Sequence, residues 1–240
     1  MFWTEKSTRW YKQAAEYTKY HHAIYKEIYP FIPVTASVLD DGCGLGYLSA
    51  EIAQNAKVVT AVDIDDRPLE DLVERLKQDN IKNLRVIKSD WSEISEEAKC
   101  DVVVSSFFKS NIEDIGRLFE YCSERLILVV SNGSENSFLP ERNSHHYRKR
   151  ADLFADNLRS KGIPFYDKKC FIQFGQPLSS VAEAREFINH YQPTCDNGEI
   201  DDHIRSHVEN ITKDAYGNQY FLSNLKEVCI FVIEKNDYMY

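Results

Sequence analysis

The protein has 240 residues, of which 43% are hydrophobic and 28% are charged, and its formal net charge at pH 7 is −9. This composition excludes a fibrous or largely disordered chain and predicts a folded globular protein. The negative charge makes nucleic acid an unlikely partner, because an acidic surface repels phosphate groups unless its Lys and Arg residues lie together on one face.

The cysteines are scattered singly and form no CxxC pair, which predicts reduced, buried thiols rather than disulfides or a zinc site. They are Cys43, Cys100, Cys122, Cys170, Cys195 and Cys229. The N-terminal residues include charges where a signal peptide would be apolar, and no apolar run reaches the roughly 18 residues of a membrane helix. We therefore expect a cytoplasmic protein without a membrane partner.

Residues 5 to about 30 contain no glycine and carry aromatic and charged residues at helical spacings until Pro30 and Pro33 interrupt them. This pattern predicts one or two helices. We expect residues 1–33 to form a helical cap ahead of the first strand.

Between residues 37 and 132 the chain alternates strand-like and helix-like runs. The apolar strand-like runs are SVLDDG, KVVTAVDID, LRVIKSD, CDVVVSSFF and LILVVSN. The amphipathic helical runs between them include YLSAEIAQN, RPLEDLVERLKQDN and IEDIGRLFEYCSER. Strands that are apolar throughout, separated by amphipathic helices, are typical of a parallel sheet covered on both faces.

Beyond Asn132, YRKRADLFADNLRSKG predicts a helix that ends at Gly162, and FYDKKCFIQFG and KEVCIFVIEK predict two further strands. The segment between those strands carries two helical patterns, SSVAEAREFINHY and EIDDHIRSHVENITKD. A connection of this length is uncommon unless it is functional. We expect a helical insertion over residues 177–222, beside the strand ends where ligands bind in open α/β sheets.

The stretch VLDDGCGLGYLSAEIA places three glycines between a predicted strand and a predicted helix. A glycine turn allows backbone N–H groups to approach a ligand where a Cβ would collide. The spacing Gly42, Gly44, Gly46 departs from the dinucleotide-binding GxGxxG pattern, which would require its third glycine at Tyr47. No GK[ST] follows the turn, so a P-loop is excluded as well.

The sequence from Asp40 to Gly46 resembles the first motif of class I S-adenosylmethionine-dependent methyltransferases, an acid followed by x-G-x-G-x-G. The family usually carries an apolar residue at the position of Asp41. The resemblance implies that Asp63, at the end of the second predicted strand, accepts hydrogen bonds from the cofactor's ribose hydroxyls. It also implies that Asp90 accepts one from the adenine amino group and that Trp91 lies against the purine ring.

The resemblance covers residues 37–132 and implies S-adenosylmethionine as the cofactor of a methyltransferase enzyme. It further implies a doubly wound α/β fold whose seven-stranded, mostly parallel sheet has an antiparallel last strand. The residues then expected to contact the cofactor are Tyr20, Asp40, Gly42, Cys43, Gly44, Gly46, Asp63, Ile64, Asp90, Trp91 and Ser105. The expected organisation is a single domain over residues 1–240, with residues 37–132 as its cofactor-binding core.

Methyl transfer from this cofactor depends chiefly on positioning, so a dedicated base is optional. His145 and His146, in a polar segment after the fifth strand, are candidate catalytic bases, and the alternative is that they are exposed loop residues. The candidate acceptor contacts are Ser106, Phe107, Phe108 and Tyr147.

His203 and His207 lie one helical turn apart near Asp201 and Asp202 and form the one candidate for a metal site. No third ligand is identifiable, and a solvated helix face is the better interpretation. We predict no metal.

The sequence indicates the class of methyl acceptor mainly through features that it lacks. No N/D-P-P-[YF] signature follows the fourth strand, and the chain is acidic, which favours a small or medium organic acceptor. An RNA or protein acceptor is the alternative, guided by a basic patch whose members are Arg142, Arg148, Lys149 and Arg150. A non-catalytic protein that binds S-adenosylmethionine or S-adenosylhomocysteine also stays open, and a nicotinamide-dependent reductase is disfavoured by Tyr47. The sequence does not predict the oligomeric state.

Overall fold

The computed structural model describes residues 3–94, 99–108, 111–134, 138–140 and 150–238. The chain divides into two compact units. We call residues 21–132, 149–170 and 228–240 the sheet unit, and residues 1–20, 133–148 and 171–227 the insertion unit. Whether the chain acts as a single domain stays a prediction.

The chain begins with two consecutive helices, α1 (Glu5–Thr18) and α2 (Tyr20–Ile28), as predicted. Thr4 caps α1 by accepting a hydrogen bond from the backbone N–H of Ser7, which satisfies one of the first-turn donors. The two helices are separated at Lys19, whose left-handed backbone with φ of 54° ends α1.

The remaining helices alternate with the strands in the order expected of an α/β chain. The helices are α3 (Tyr47–Ala53), α4 (Asp66–Gln78), α5 (Ile112–Tyr121), α6 (Arg150–Ser160), α7 (Val181–Tyr191), α8 (Asn197–His207) and α9 (Lys235–Tyr238). The strands are β1 (Ser37–Asp41), β2 (Val58–Asp63), β3 (Leu84–Lys88), β4 (Cys100–Ser106), β5 (Cys122–Ser134), β6 (Tyr166–Gln173), β7 (Gln176–Leu178), β8 (Val208–Asn210), β9 (Tyr220–Leu222) and β10 (Leu225–Glu234).

Seven of these strands form one sheet in the order β3-β2-β1-β4-β5-β10-β6. The β1–β2, β1–β4, β2–β3 and β4–β5 pairs are parallel. The sheet is mostly parallel with an antiparallel last strand, so the predicted fold class is confirmed. The strand order reverses between β1 and β4, and open α/β sheets bind ligands beyond the strand ends at such a reversal.

The core of the sheet unit explains why its strands read as unbroken apolar runs. Leu39, Val103 and Leu126 are completely buried, and Phe154 of α6 packs edge-on against Phe231 of β10 at a ring centroid distance of 5.0 Å. Burial of apolar surface on both faces of the sheet supplies the main driving force for this arrangement.

One element boundary differs from the prediction. The helix expected over residues 112–125 ends at Tyr121, and Cys122 already belongs to β5, where it pairs with Cys100 of β4. The amphipathic pattern continues past this point, but strand pairing determines the backbone conformation there. Tertiary context overrides local propensity in this segment.

The insertion is not entirely helical, which corrects the expectation for residues 177–222. Besides α7 and α8 it contains a three-stranded antiparallel sheet in the order β7-β9-β8. The helix expected to run to Asp214 ends at His207, because Val208 adopts an extended backbone and pairs with Leu222. Three-residue strands are too short to show the alternation that identifies a strand in a sequence.

Trp10 of α1 anchors the apolar core of the insertion unit. It is completely buried, its ring lies edge-on to Phe187 at 5.1 Å, and its indole N–H donates to Glu183. A buried indole needs such an acceptor for its N–H. In the part of the chain that the structure describes, no helix is long and apolar enough to cross a membrane.

Candidate functional site

The glycine turn follows β1 directly and is fastened to β2. Gly42, Gly44 and Gly46 have φ angles of +73°, +53° and +66°, which L-residues with a Cβ rarely adopt. The N–H groups of Gly42 and Cys43 donate to the carbonyl oxygen of Val62 at 3.0 and 2.9 Å. Glycine is therefore required by the backbone conformation of the turn.

Asp63, the last residue of β2, holds the other side of this turn. Its Oδ2 accepts a hydrogen bond of 2.8 Å from the N–H of Gly44, and its Oδ1 accepts one of 3.0 Å from the N–H of Asp65. A carboxylate has about four lone-pair sites, so acceptor capacity remains for ligand hydroxyls. That Asp63 binds a cofactor stays a prediction.

A narrow pocket of ≈ 50 Å³ lies beside the glycine turn. It brings together six residues that the sequence analysis singled out and three that it did not. The first group is Gly42, Asp63, Ile64, Asp90, Trp91 and Phe108, and the second is Asp41, Val62 and Ser89. Asp41 had been noted as a departure from the family pattern, while Val62 and Ser89 carry no signal of their own.

The ring of Phe108 forms the wall of this pocket nearest the turn. A Cβ added to Gly42 would lie 2.4 Å from Cγ of Phe108, so the ring occupies the space that the glycine leaves open. The preceding residue, Phe107, has a left-handed backbone with φ of 57°, and its N–H donates to the carbonyl oxygen of Val129. Phe108 itself is 45% exposed.

Asp90 and Trp91 enter the pocket from the segment after β3. Trp91 begins a short 3₁₀ turn, Trp91–Glu93, and the guanidinium carbon of Arg117 lies 5.0 Å from the centroid of its ring. This cation–π contact restricts the position of the indole. Two aromatic rings, Trp91 and Phe108, and three carboxylates thus surround the same small space.

Asp40 and Asp41 lie beneath the turn, at the end of β1. Asp40 accepts a hydrogen bond from the hydroxyl of Ser49 on α3 and is 2% exposed. Burial raises the pKa of Asp40 to about 6, the Ser49 hydrogen bond lowers the pKa in part, and the charge of Asp63 raises it further. Asp41 is completely buried and pairs in register with Val62 on one side and Ser105 on the other.

Three further residues expected to contact the cofactor pack closely against their neighbours in the sheet unit. Gly46 leaves room for Leu72 of α4, since a Cβ there would lie 2.4 Å from a methyl carbon of that leucine. Burial raises the pKa of the Cys43 thiol well above its usual range. Ser105 is 1% exposed within β4. None of these three residues lines the pocket beside the turn.

Three of the other residues named in the sequence analysis belong to the insertion unit. Tyr20 belongs to the insertion unit, where it is buried and its ring centroid lies 4.4 Å from that of Phe174. His203 is buried there too and stacks on His207 at 4.2 Å. The predictions on His145, His146 and Tyr147 lie outside the described residues, as do those on Arg142, Arg148 and Lys149. The described residues contain no cluster of three metal-binding side chains.

Comparison with known proteins relates the segment that contains the glycine turn to a family model. Residues 38–126 match the model of a methyltransferase domain. The chain is 35% identical over 97 residues to the ribosomal protein L11 methyltransferase of Acetivibrio thermocellus, an alignment covering 40% of this chain and 31% of that protein. It is 24% identical over 148 residues to a probable ribosomal RNA small subunit methyltransferase A of Methanosphaera stadtmanae, covering 61% and 54%. The chain therefore spans between a third and about half the length of these relatives.

Among solved structures, the YcgJ protein of Bacillus subtilis resembles this chain with a TM-score of 0.55 and 13% identity, covering 90% of this chain and 98% of that one. At this identity the similarity concerns the fold alone. The strand order and glycine turn are those of class I S-adenosylmethionine-dependent methyltransferases. The match over residues 38–126 supports a methyltransferase domain in this part of the chain.

Proposed function

We propose that the protein is an enzyme that transfers a methyl group from S-adenosylmethionine to a small or medium organic acceptor. The observation that carries the proposal is the hydrogen bond from Gly44 to Asp63 beside the reversal of strand order. It places a bare backbone turn and a carboxylate at the point where open α/β sheets bind their ligands. The carboxylate of Asp90 and the ring of Trp91, which follow the third strand, complete the pocket.

The residues of the pocket fit this cofactor. The free lone pairs of Asp63 would accept the ribose hydroxyls, and Asp90 would accept the adenine amino group. Trp91 would lie along the purine, because a flat aromatic face is the best partner for another ring. The pocket of ≈ 50 Å³ is narrow, so the ring of Phe108 must move away from Gly42 to admit the adenosine.

The cofactor supplies a methyl group on a positively charged sulfur, and the chain supplies positioning and exclusion of water. Asp40 stabilises the start of α3 by accepting a hydrogen bond from the hydroxyl of Ser49. The carbonyl oxygen of Val62 stabilises the turn by accepting hydrogen bonds from the N–H groups of Gly42 and Cys43. His145 or His146 would take a proton where the acceptor must lose one. Ser106, Phe107, Phe108 and Tyr147 would contact the acceptor.

The acceptor class rests on the net charge of −9, which disfavours a polyanionic acceptor. The similarity to methyltransferases of ribosomal protein and ribosomal RNA supports the alternative, a macromolecular acceptor. All six cysteines are free thiols, which supports a cytoplasmic location.

The test uses S-adenosylmethionine labelled in its methyl group, incubated with the purified protein and a cell extract separated into metabolites, RNA and protein. Label in the metabolite fraction supports the proposal. Label in RNA or protein identifies the alternative acceptor. Absence of transfer with retained cofactor binding would identify a non-catalytic binding protein.

A further inference from the structure

A second and larger cleft lies on the sheet unit and shares Phe108 with the pocket beside the glycine turn. It has a volume of ≈ 470 Å³, within the range of small-molecule binding sites. Its lining includes Phe108, Asn111, Glu113, Arg150, Leu153 and Asn157. We call this the Arg150 cleft.

One face of α6 forms one side of the Arg150 cleft. Arg150, Leu153, Phe154 and Asn157 occupy positions i, i+3, i+4 and i+7 and therefore share a stripe of the helix. The start of α6 is fixed to the sheet because the N–H of Ala151 donates to the side-chain oxygen of Asn132 at 3.1 Å. The stripe thus presents a cation, an apolar patch and an amide in a defined order.

The opposite side of the cleft comes from the start of α5. Asn111 precedes this helix and Glu113 lies in its first turn. A carboxylate in a first turn is favoured by the positive end of the helix dipole. Phe108 is common to this cleft and to the pocket beside the glycine turn. A ligand in the cleft would therefore lie next to the pocket assigned to the cofactor.

Arg150 differs from the other arginine of the same helix. Arg159 pairs with Asp156 at 3.0 Å and lies over the ring of Phe165. Among the described residues, Arg150 makes neither an ion pair nor a hydrogen bond, and it lines the cleft. A guanidinium group binds a carboxylate through two parallel hydrogen bonds, which gives both energy and orientation.

We propose that the Arg150 cleft binds the methyl acceptor, and that the acceptor is a small molecule with an apolar body and a single acidic group held by Arg150. Leu153, Phe154 and the ring of Phe108 would contact the apolar body. Glu113 would repel a second acidic group, so the cleft selects a monoacid. This inference rests on the proposed methyltransferase function, since it assigns the substrate class of that reaction.

The test compares matched probes on the full chain by ligand-observed saturation-transfer NMR. Benzoate, benzamide and benzylamine share an apolar ring and differ in charge. We expect benzoate to bind roughly tenfold more tightly than benzamide, with benzylamine weakest, and phthalate to bind no better than benzoate. Arg150→Met should abolish the preference for benzoate. Arg159→Met, on the same helix, should retain it.

Equal binding of benzoate and benzamide, no binding of benzoate, or a preference that persists in Arg150→Met would overturn the proposal. Circular dichroism of each variant shows that it is folded. Calorimetry with S-adenosylmethionine on the same samples tests the methyltransferase function separately. Cofactor binding without an acid preference overturns the acceptor proposal alone, whereas loss of cofactor binding in the unaltered protein overturns the function on which it rests.

Discussion

The backbone N–H of Gly44 donates a hydrogen bond of 2.8 Å to Oδ2 of Asp63. This contact joins the turn after β1 to the end of β2, two neighbouring strands of the sheet. The carboxylate therefore has two tasks in our account. It holds the turn in place, and it keeps lone pairs for the ribose hydroxyls of S-adenosylmethionine.

Replacing Asp63 by Ala should weaken binding of S-adenosylmethionine by about 1.5–3 kcal/mol, the scale of a hydrogen bond to a charged group. That corresponds to a loss of roughly 10- to 150-fold in affinity, which calorimetry resolves. The matched control is Asp66→Ala, which removes an exposed carboxylate that pairs with Lys88. An unchanged affinity in a folded Asp63 variant would refute the assigned role.

Phe108→Ala should strengthen cofactor binding. The ring lies against Gly42 in the space beside the turn, and removing it opens the narrow pocket without requiring the ring to move. Because Phe108 is 45% exposed, the cost in stability should be small. Phe107→Ala serves as the control. Weaker binding in Phe108→Ala would instead show that the ring contacts the bound cofactor.

Gly42→Ala should destabilise the fold and weaken cofactor binding. The φ of +73° is strained for alanine, and the new methyl would collide with the Phe108 ring at 2.4 Å. The double variant Gly42→Ala/Phe108→Ala should recover part of the lost stability, because only the backbone strain of about 1–2 kcal/mol remains. Urea denaturation measures all three variants, and strict additivity of the two changes would contradict the contact.

Asp40 should make stability depend on pH in a direction opposite to that of most carboxylates. Burial raises its pKa to about 6, so the folded state favours the protonated acid. Its stabilising contribution is complete below about pH 4 and is lost as pH rises through 6. Relative to the unaltered protein, Asp40→Asn should therefore gain about 2 kcal/mol of unfolding free energy between pH 4 and pH 7. If the difference in unfolding free energy between Asp40→Asn and the unaltered protein stayed constant from pH 4 to pH 7, the raised pKa of Asp40 would be contradicted.

Lys226 should limit the stability of the insertion unit at neutral pH. Its amine lies 4.5 Å from the ring centroid of Phe174 and 5.6 Å from that of Tyr20, and burial lowers the pKa of Lys226 to about 8. The stability contribution of this lowered pKa is present above about pH 10.4 and is lost as pH falls through 8.

Lys226→Met should accordingly raise the unfolding free energy at pH 7 by about 1–3 kcal/mol, with the gain shrinking toward pH 10. Lys213→Met, at an exposed position of the same unit, is the control. A less stable Lys226→Met variant at pH 7 would mean that the cation–π contacts outweigh the cost of burying the charge.

The fold was predictable where a strand or helix is long enough for its hydrophobic pattern to be visible in the sequence. The strands β2 and β4 carry continuous, mostly apolar buried runs because both faces of the sheet are covered there, and that pattern is visible in the sequence alone. The strands β7, β8 and β9 have three residues each and leave no periodic trace. The boundary at Cys122 was missed because pairing with Cys100 decides it, and that partner is distant in the sequence.

The grouping of residues around the pocket was predictable from the contiguous glycine turn and from carboxylates at the ends of strands. The glycine turn lies in one short stretch, and Asp63 and Asp90 follow strands whose ends meet at the same edge of a parallel sheet. The Arg150 cleft could not be foreseen, since the parallel pairing of β4 and β5 brings the starts of α5 and α6 together. In the sequence, Arg150 is one basic residue among several.

The most direct test of the central claim is calorimetric titration of the purified protein with S-adenosylmethionine and with S-adenosylhomocysteine, using NADH as the control ligand. Our account predicts micromolar binding of both sulfur compounds and no binding of NADH, because the turn lacks the third glycine of the dinucleotide fingerprint. A folded protein that binds neither sulfur compound would contradict it, and binding of NADH would assign the glycine turn to a different cofactor.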